Sequence, residues 1–185
     1  MVVAFLRAEI NSSRHDKLVA ERLALSGFTR RLIDEPNLAD AAENCARMQV
    51  LDCRGYKRRE ALFAGFPLDA AWRRVVLAPP DFETLRYARY KTWMDLSDGT
   101  RLVSVGARNF RQRPGGPETY QIKGIAEALR SGVRFPELIA AQGGDGSLIL
   151  IEGHSRATAY VLEGFVGEVE ILVGTSPSMP RWAFY

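Results

Sequence analysis

One short stretch of the chain combines residue types that could hold and act on an anion. A run of apolar residues at 148–151 leads directly into a polar turn. The turn residues are Glu152, Gly153, His154, Ser155 and Arg156. The apolar run has the length of a buried strand, and the residues after the turn have the spacing of a helix face. Because the first N–H groups of a helix lack internal partners and its dipole is positive there, the turn is suited to a phosphate or carboxylate.

Phosphate binding at this turn would use the backbone and one guanidinium. Gly153 lets the main chain approach a ligand closely. Arg156 can donate two parallel hydrogen bonds to an oxyanion, and the amides of residues 155–157 (Ser155, Arg156 and Ala157) would add to the positive field. A structural role is also open, in which Arg156 pairs with Glu152 or Glu163 of the chain itself.

Two further residues of the turn could take part in catalysis. His154 could donate a proton or a hydrogen bond to a phosphoryl oxygen. Glu152 could bind Mg²⁺ or act as a base towards a hydroxyl group. The structural alternative for His154 is a helix cap.

The elements that would position the turn follow from hydropathy patterns in the second half of the chain. We predict a strand at 101–105, a polar loop at 106–116 and a helix at 117–130. A hairpin of strands at 135–141 and 147–152 surrounds the glycine-rich turn 143–146. The motif helix then leads into a last strand at 168–173.

The glycine and arginine of the motif, together with this order of elements, resemble the Gly-x-x-Arg turn of the ParB/sulfiredoxin-like superfamily over about residues 101–173. The resemblance implies an α+β fold with a small mixed sheet and a nucleotide phosphate held at the turn. Sulfiredoxins carry a catalytic cysteine where this chain has His154, so sulfiredoxin activity is disfavoured. The free-serine kinases are closer, with an acidic residue, a glycine and two histidines before the arginine.

The kinase-like pattern also implies a catalytic glutamate earlier in the fold, for which Glu118 is the candidate. Arg108, in the arginine-containing loop before it, is a candidate contact to the nucleotide. We therefore expect a phosphoryl-transfer or nucleotide-hydrolysing protein that uses ATP, ADP or CTP with Mg²⁺ and a small-molecule acceptor. The alternative is a ParB-like nucleic-acid-binding protein or nuclease that uses the basic patch 54–59 and the loop 108–113.

The first half of the chain is less regular in pattern. A turn at 97–100 and a shift in composition predict a domain boundary, with an α/β N-terminal region at 1–100 and the ParB/sulfiredoxin-like domain at 101–185. Strands are predicted at 2–6, 29–33 and 72–77, and helices at 18–25 and 38–49. The aromatic residues within 81–94 indicate core packing rather than base stacking.

Composition indicates a globular protein that is neither membrane-bound nor strongly basic. The 185 residues are 46% apolar and 25% charged, which is ordinary for a soluble protein. A net charge of +3 is smaller than a dedicated duplex-DNA binder usually has. No apolar run approaches the roughly 20 residues of a membrane helix, so we expect a cytoplasmic protein. Cys45 and Cys53 are expected to be reduced thiols, and no metal site is predicted.

Overall fold

The chain divides into two compact units, residues 1–66 and 67–185. The computed structural model describes residues 1–12, 15–54, 62–116, 118–165 and 168–185. The division falls between Phe66 and Pro67 rather than at the predicted boundary near residue 100. The reason is that the strand at 71–77 pairs with the strand at 169–175, which joins residues 67–100 to the second unit.

The described residues of the first unit form helices, and the strand predicted at 72–77 within the N-terminal region belongs to the second unit. The helices are α1 (Val2–Ile10), α2 (Asp16–Leu25), α3 (Arg31–Asp34) and α4 (Ala41–Leu51), followed by a 3₁₀ turn at Asp52–Arg54. Residues 2–6 and 31–33 are helical where strands were predicted. The buried residues of α1 recur with helical spacing, as Phe5, Leu6, Glu9 and Ile10 show, and a five-residue apolar run alone does not separate the two states.

A buried arginine connects α4 to the segment before it. Arg47 is 1% exposed. Its Nη1 donates to the Leu32 carbonyl at 3.1 Å and to the Glu43 carboxylate at 2.8 Å, and its Nη2 donates to the Asn37 carbonyl at 2.9 Å. The hydrogen bond from Arg47 keeps the pKa of the Glu43 carboxyl below its usual value. Arg47 therefore has a structural role within the first unit.

The second unit contains a four-stranded mixed sheet, which confirms the predicted α+β class. Its strands are β1 (Ala71–Leu77), β2 (Leu138–Gln142), β3 (Leu148–Glu152) and β4 (Val169–Thr175), in the spatial order β1-β4-β2-β3. β4 pairs antiparallel with β1 and parallel with β2, and β2 pairs antiparallel with β3. The predicted hairpin and last strand are confirmed.

The helices of this unit are α5 (Asp81–Thr84), α6 (Lys91–Leu96), α7 (Val103–Gln112), α8 (Thr119–Arg130) and α9 (His154–Leu162). The predictions of a strand at 101–105 and a loop at 106–116 are wrong, because α7 occupies most of both segments. α8 and α9 are confirmed. α7 was missed because its buried residues, Val103, Gly106, Ala107 and Phe110, have helical spacing but small or few apolar side chains.

A short extended segment adds to the sheet next to β3. The amide of Arg86 donates to the Leu148 carbonyl at 2.7 Å, and the amide of Leu150 donates to the Arg86 carbonyl at 2.8 Å. On its other side, the amide of Tyr87 donates to the Arg101 carbonyl at 2.7 Å. Residues 85–87 thus lie between β3 and the residues that precede α7.

The core of the unit lies between the sheet and the helices. Apolar residues of all four strands contribute, with Leu138, Ala140, Leu150 and Ile171 fully buried. Aromatic side chains from the segment 82–93 fill the space beneath α7 and α9, as the aromatic pattern predicted. Their ring contacts join Phe82 to Phe165 at 4.6 Å and Tyr87 to Trp93 at 4.9 Å between centroids. Among the helices of the described chain, none has the length and apolar character that crossing a bilayer requires.

α7 packs closely against the aromatic cluster at Gly106, and a substitution there tests this packing. A Cβ atom at this position would lie 2.5 Å from the Tyr87 hydroxyl and 2.6 Å from its Cε2. Tyr87 is completely buried and cannot move away. We expect Gly106→Ala to lower the free energy of unfolding by about 1–3 kcal/mol, measured by chemical denaturation.

Gly124 of α8 is the matched control, because a Cβ there meets no atom within 4 Å. Gly124→Ala should raise the free energy of unfolding by about 0.5–1 kcal/mol through helix propensity. Equal effects of the two substitutions would contradict the packing described for α7.

Candidate functional site

The turn between β3 and α9 has the geometry that the motif predicts. Gly153 adopts a left-handed conformation, with φ of 94°, immediately before the helix. A Cβ atom there would lie 2.5 Å from Cδ2 of Leu138, so both the backbone angle and the space require glycine. The first internal hydrogen bond of α9 runs from the Ala157 amide to the Gly153 carbonyl at 2.8 Å. The amide of Ala157 is therefore used within the helix, and the amides of residues 154–156 precede it.

The first turn of α9 meets the first turn of α8. The Ser155 hydroxyl donates to Oε1 of Gln121 at 3.2 Å. Gln121 is the third residue of α8, and Glu118 is the residue before that helix. Two helix N-termini, and with them two positive dipole ends, thus lie at one corner of the unit. Gln121 is a site residue that the sequence did not indicate, since its position at the corner depends on the packing of α8.

Arg156 is buried in this corner and is bound to protein groups. Its residue exposure is 7%. Its Nη1 donates to the carbonyls of Pro136 and Glu137, the latter at 3.2 Å, and its Nη2 donates to the Glu152 carboxylate. The internal pairing with Glu152, which the sequence left open, is the one observed. Glu163 instead lies 3.0 Å from Nε of Arg130.

The pair of Arg156 and Glu152 is unequal in exposure. The Arg156 side chain is 9% exposed and that of Glu152 is 21% exposed. The guanidinium is also held by main-chain carbonyls, whereas the carboxylate faces solvent in part. Glu152 is therefore the more exposed partner of this pair.

His154 lies in an aromatic environment and not at an open surface. It is 9% exposed, and its ring stacks on Trp93 at 5.3 Å and on Tyr87 at 6.1 Å between centroids. The amide of Ala88 donates to its Nε2 at 3.3 Å. Burial, with the charge of Arg156 as a smaller cause, lowers the pKa of His154 from 6.5 to about 3. At neutral pH the ring is uncharged and accepts a hydrogen bond, which does not support the predicted role as proton donor.

A second buried hydrogen bond fixes α9 to the extended segment. The hydroxyls of Tyr87 and Thr158 are 2.7 Å apart, and Thr158 donates to the His154 carbonyl at 2.8 Å. Burial raises the pKa of Tyr87, so its hydroxyl stays protonated and can act as the donor. The helix start is thereby also held in place by the extended segment.

Glu118 lines a cavity of about 500 Å³. Its polar lining residues include Asp95, Asp98, Asn109 and Arg113, and its apolar lining residues include Trp93, Phe110 and Ile122. Because Trp93 also stacks on His154, one aromatic ring separates this cavity from the motif helix. The cavity is within the size range of small-molecule sites.

The remaining basic residues of the prediction lie apart or are bound to protein groups. Arg108 is exposed on α7. Arg111 donates to the Leu162 carbonyl at 2.7 Å, and Arg113 lies 3.7 Å from Asp98. Of the patch 54–59, Arg54 lies 3.3 Å from Glu9, and residues 55–59 are outside the described residues. These contacts do not assemble a phosphate-binding surface from Arg111, Arg113 or Arg54.

The environment of His154 predicts a specific loss of stability in mild acid. The unfolded chain takes up a proton below pH 6.5, whereas the folded His154 does not until about pH 3. The free energy of unfolding should therefore fall as the pH is lowered from 6.5 towards 5, with a slope approaching about 1.4 kcal/mol per pH unit. Chemical denaturation at several pH values measures this slope.

The chain contains two histidines, which provides the control. The slope should persist in His15→Gln and disappear in His154→Gln. A slope that remains in His154→Gln would assign the titration to another group.

Comparisons with known proteins assign neither a family nor a function to this chain. No family model matches the sequence, and no curated protein and no solved structure is significantly similar to it. The relation to the ParB/sulfiredoxin-like superfamily therefore stays a prediction from the Gly153 and Arg156 motif.

Proposed function

We propose that the unit of residues 67–185 binds the phosphate group of a nucleotide at the corner where the first turns of α8 and α9 meet. The observation that carries this proposal is the buried guanidinium of Arg156 within the first turn of α9. A cation at a helix N-terminus is unfavourable without an anion, because the helix dipole is positive at that end. Glu152 supplies that anion in the absence of a ligand, and a phosphate would supply it when bound.

Ligand binding in this proposal is an exchange of anions on Arg156. The phosphate displaces the partly exposed carboxylate of Glu152, while the Pro136 and Glu137 carbonyls keep the guanidinium in position. Amides at the start of α9 and the Ser155 hydroxyl then provide further donors to the phosphate. Because Arg156 is already in place, little side-chain entropy is lost on binding.

The residues near the corner also support a reaction on the bound nucleotide, either phosphoryl transfer or hydrolysis. Glu152, once released from Arg156, and Glu118 are the carboxylates that would take a proton from an acceptor hydroxyl or from water. The cavity beside Glu118 has room for a small-molecule acceptor. His154 would support the corner by packing, since its ring is neutral and buried.

Magnesium is the metal expected to accompany ATP, ADP or CTP. Among the described residues, no group of three or more His, Cys, Asp or Glu side chains is placed to hold a metal ion. Mg²⁺ bound to nucleotides usually takes one or two carboxylates, with phosphates and water as the other ligands. Glu152 fits that requirement, and the ion would supply neutralisation of phosphate charge.

Nucleotide binding can be measured as a rise in melting temperature with ADP, ATP or CTP and Mg²⁺. A ligand at 100 times its Kd stabilises the folded state by about 2.7 kcal/mol. Arg156→Lys keeps the charge but loses the planar pair of donors, so affinity should fall by about tenfold or more. Glu152→Gln removes the competing anion, so affinity for the nucleotide measured without Mg²⁺ should stay equal or increase, although the free protein melts at a lower temperature.

Arg134→Gln is the matched control for net charge, because Arg134 is an exposed arginine of the same unit. It should leave nucleotide affinity unchanged. If Arg156 and Glu152 form only a structural pair, both variants lower the melting temperature and neither changes the nucleotide effect. That result, or no response to any of the three nucleotides, would overturn the proposal.

A further inference from the structure

Three arginines, Arg86, Arg89 and Arg101, lie where residues 85–89 meet Arg101 and Leu102, the two residues before α7. Arg86 pairs with Leu102 in an antiparallel bridge, and the Tyr87 amide donates to the Arg101 carbonyl. Arg89 follows in the same segment and is exposed. None of these residues belongs to the nucleotide corner, whose groups are Arg156, Glu152 and the first turns of α8 and α9.

Arg101 is buried although its donors are incompletely used. It is 9% exposed, its Nε donates to the Tyr87 carbonyl at 2.9 Å, and its Nη1 donates to the main-chain oxygen of Tyr185 at 3.2 Å. Within the described residues, its Nη2 is buried without a hydrogen-bond partner, and so is Nε of Arg86. A buried donor without an acceptor costs about 1–3 kcal/mol, and more when it is charged. The arrangement is therefore incomplete as a purely structural one.

The charges around Arg101 are compensated only in part. Burial first, and then the charges of Arg89 and Arg86, lower the pKa of Arg101 to about 10, while the charge of Tyr185 acts in the opposite direction, and the side chain remains a cation at neutral pH. The acidic side chain near this group is Asp145, which is 63% exposed and 3.9 Å from Nη2 of Arg86. Arg101 moreover holds a left-handed backbone conformation, with φ of 66°, which is unfavourable for a residue with a side chain. An oxyanion would satisfy the donors and reduce the mutual repulsion at once.

We propose that Arg86, Arg89 and Arg101 form a binding site for a phosphate group carried by a small molecule or present as inorganic phosphate. Guanidinium donors match tetrahedral oxyanions in geometry and charge. Arg101 would form the fixed base of the site. Arg89, which is exposed, and Arg86, which is 39% exposed, would move to admit the anion and close over it.

Inorganic phosphate is the probe, and the melting temperature of the whole chain is measured against sodium chloride at the same ionic strength. We expect a saturable rise in melting temperature with phosphate. Arg89→Gln should weaken the apparent affinity for phosphate by about tenfold without affecting folding, because the side chain is exposed. Arg101→Lys, which keeps the charge, should weaken it as well.

Two controls separate this site from other sources of the effect. Arg134→Gln removes the same charge from an exposed position outside the three-arginine group and should leave phosphate affinity unchanged. In an Arg156→Lys background, in which the nucleotide corner is impaired, a saturable response to phosphate should remain and should still weaken about tenfold with Arg89→Gln, so that failure of the nucleotide corner does not affect this result. No saturable effect beyond that of sodium chloride, or equal affinity in wild type and Arg89→Gln, would overturn the proposal.

A third arm tests whether a polymer is the true ligand. The affinity for a single-stranded oligonucleotide is measured at several salt concentrations in wild type and in Arg89→Gln. Suppose that this affinity falls steeply with salt and depends on Arg89, while inorganic phosphate has no effect on the melting temperature. That result would overturn the proposal in favour of nucleic-acid binding. A response to inorganic phosphate that is lost in Arg89→Gln supports the small-molecule site.

Discussion

The structure around α9 in the second unit must compensate one buried charge, the guanidinium of Arg156 in the first turn of that helix. Arg156 carries its charge where the dipole of α9 is least favourable to it, and the carboxylate of Glu152 and two carbonyls compensate it. The carbonyls of Pro136 and Glu137 come from the segment that enters β2. The close approach of that segment also explains why position 153 cannot carry a side chain. The turn, the sheet entry and the ion pair are thus mutually dependent.

The other side of the same helix is fixed by aromatic packing. His154 packs against the rings of both Trp93 and Tyr87, and the hydroxyl of Tyr87 bonds to Thr158 one turn further along. Both contacts come from residues 85–93, which cross beside β3 before α7 begins. The neutral form of His154 suits this position, because a charged ring would lose its hydration and face Arg156. The start of α9 is therefore fixed by ring contacts and hydrogen bonds, the kind of support that a preorganised anion site requires.

The sequence was informative where structure is decided locally. The turn at 143–146 marks the hairpin, Gly153 marks the start of α9, and alternating or continuous apolar residues mark β1 and β4. Residues 2–6 and 101–105 were predicted as strands because short apolar runs do not distinguish a strand from one side of a helix. The site residues were found in part, since Arg156 and Glu152 are recognisable in the motif. Gln121 and Arg101 were not found, because their positions depend on contacts between segments far apart in sequence.

The position of β4 in the sheet has a consequence for how the second unit is made in the cell. β4 lies between β1 and β2, so β1 has no neighbour in the sheet until residues 169–175 have been synthesised. At a translation rate of about 5–20 residues per second, β1 waits for several seconds outside the ribosome. Its consecutive residues Arg73 and Arg74 are both exposed, one on each face of the strand, and such charges oppose pairing with strands of other nascent chains. The arginines of β1 thereby protect the unit during the interval in which its sheet is incomplete.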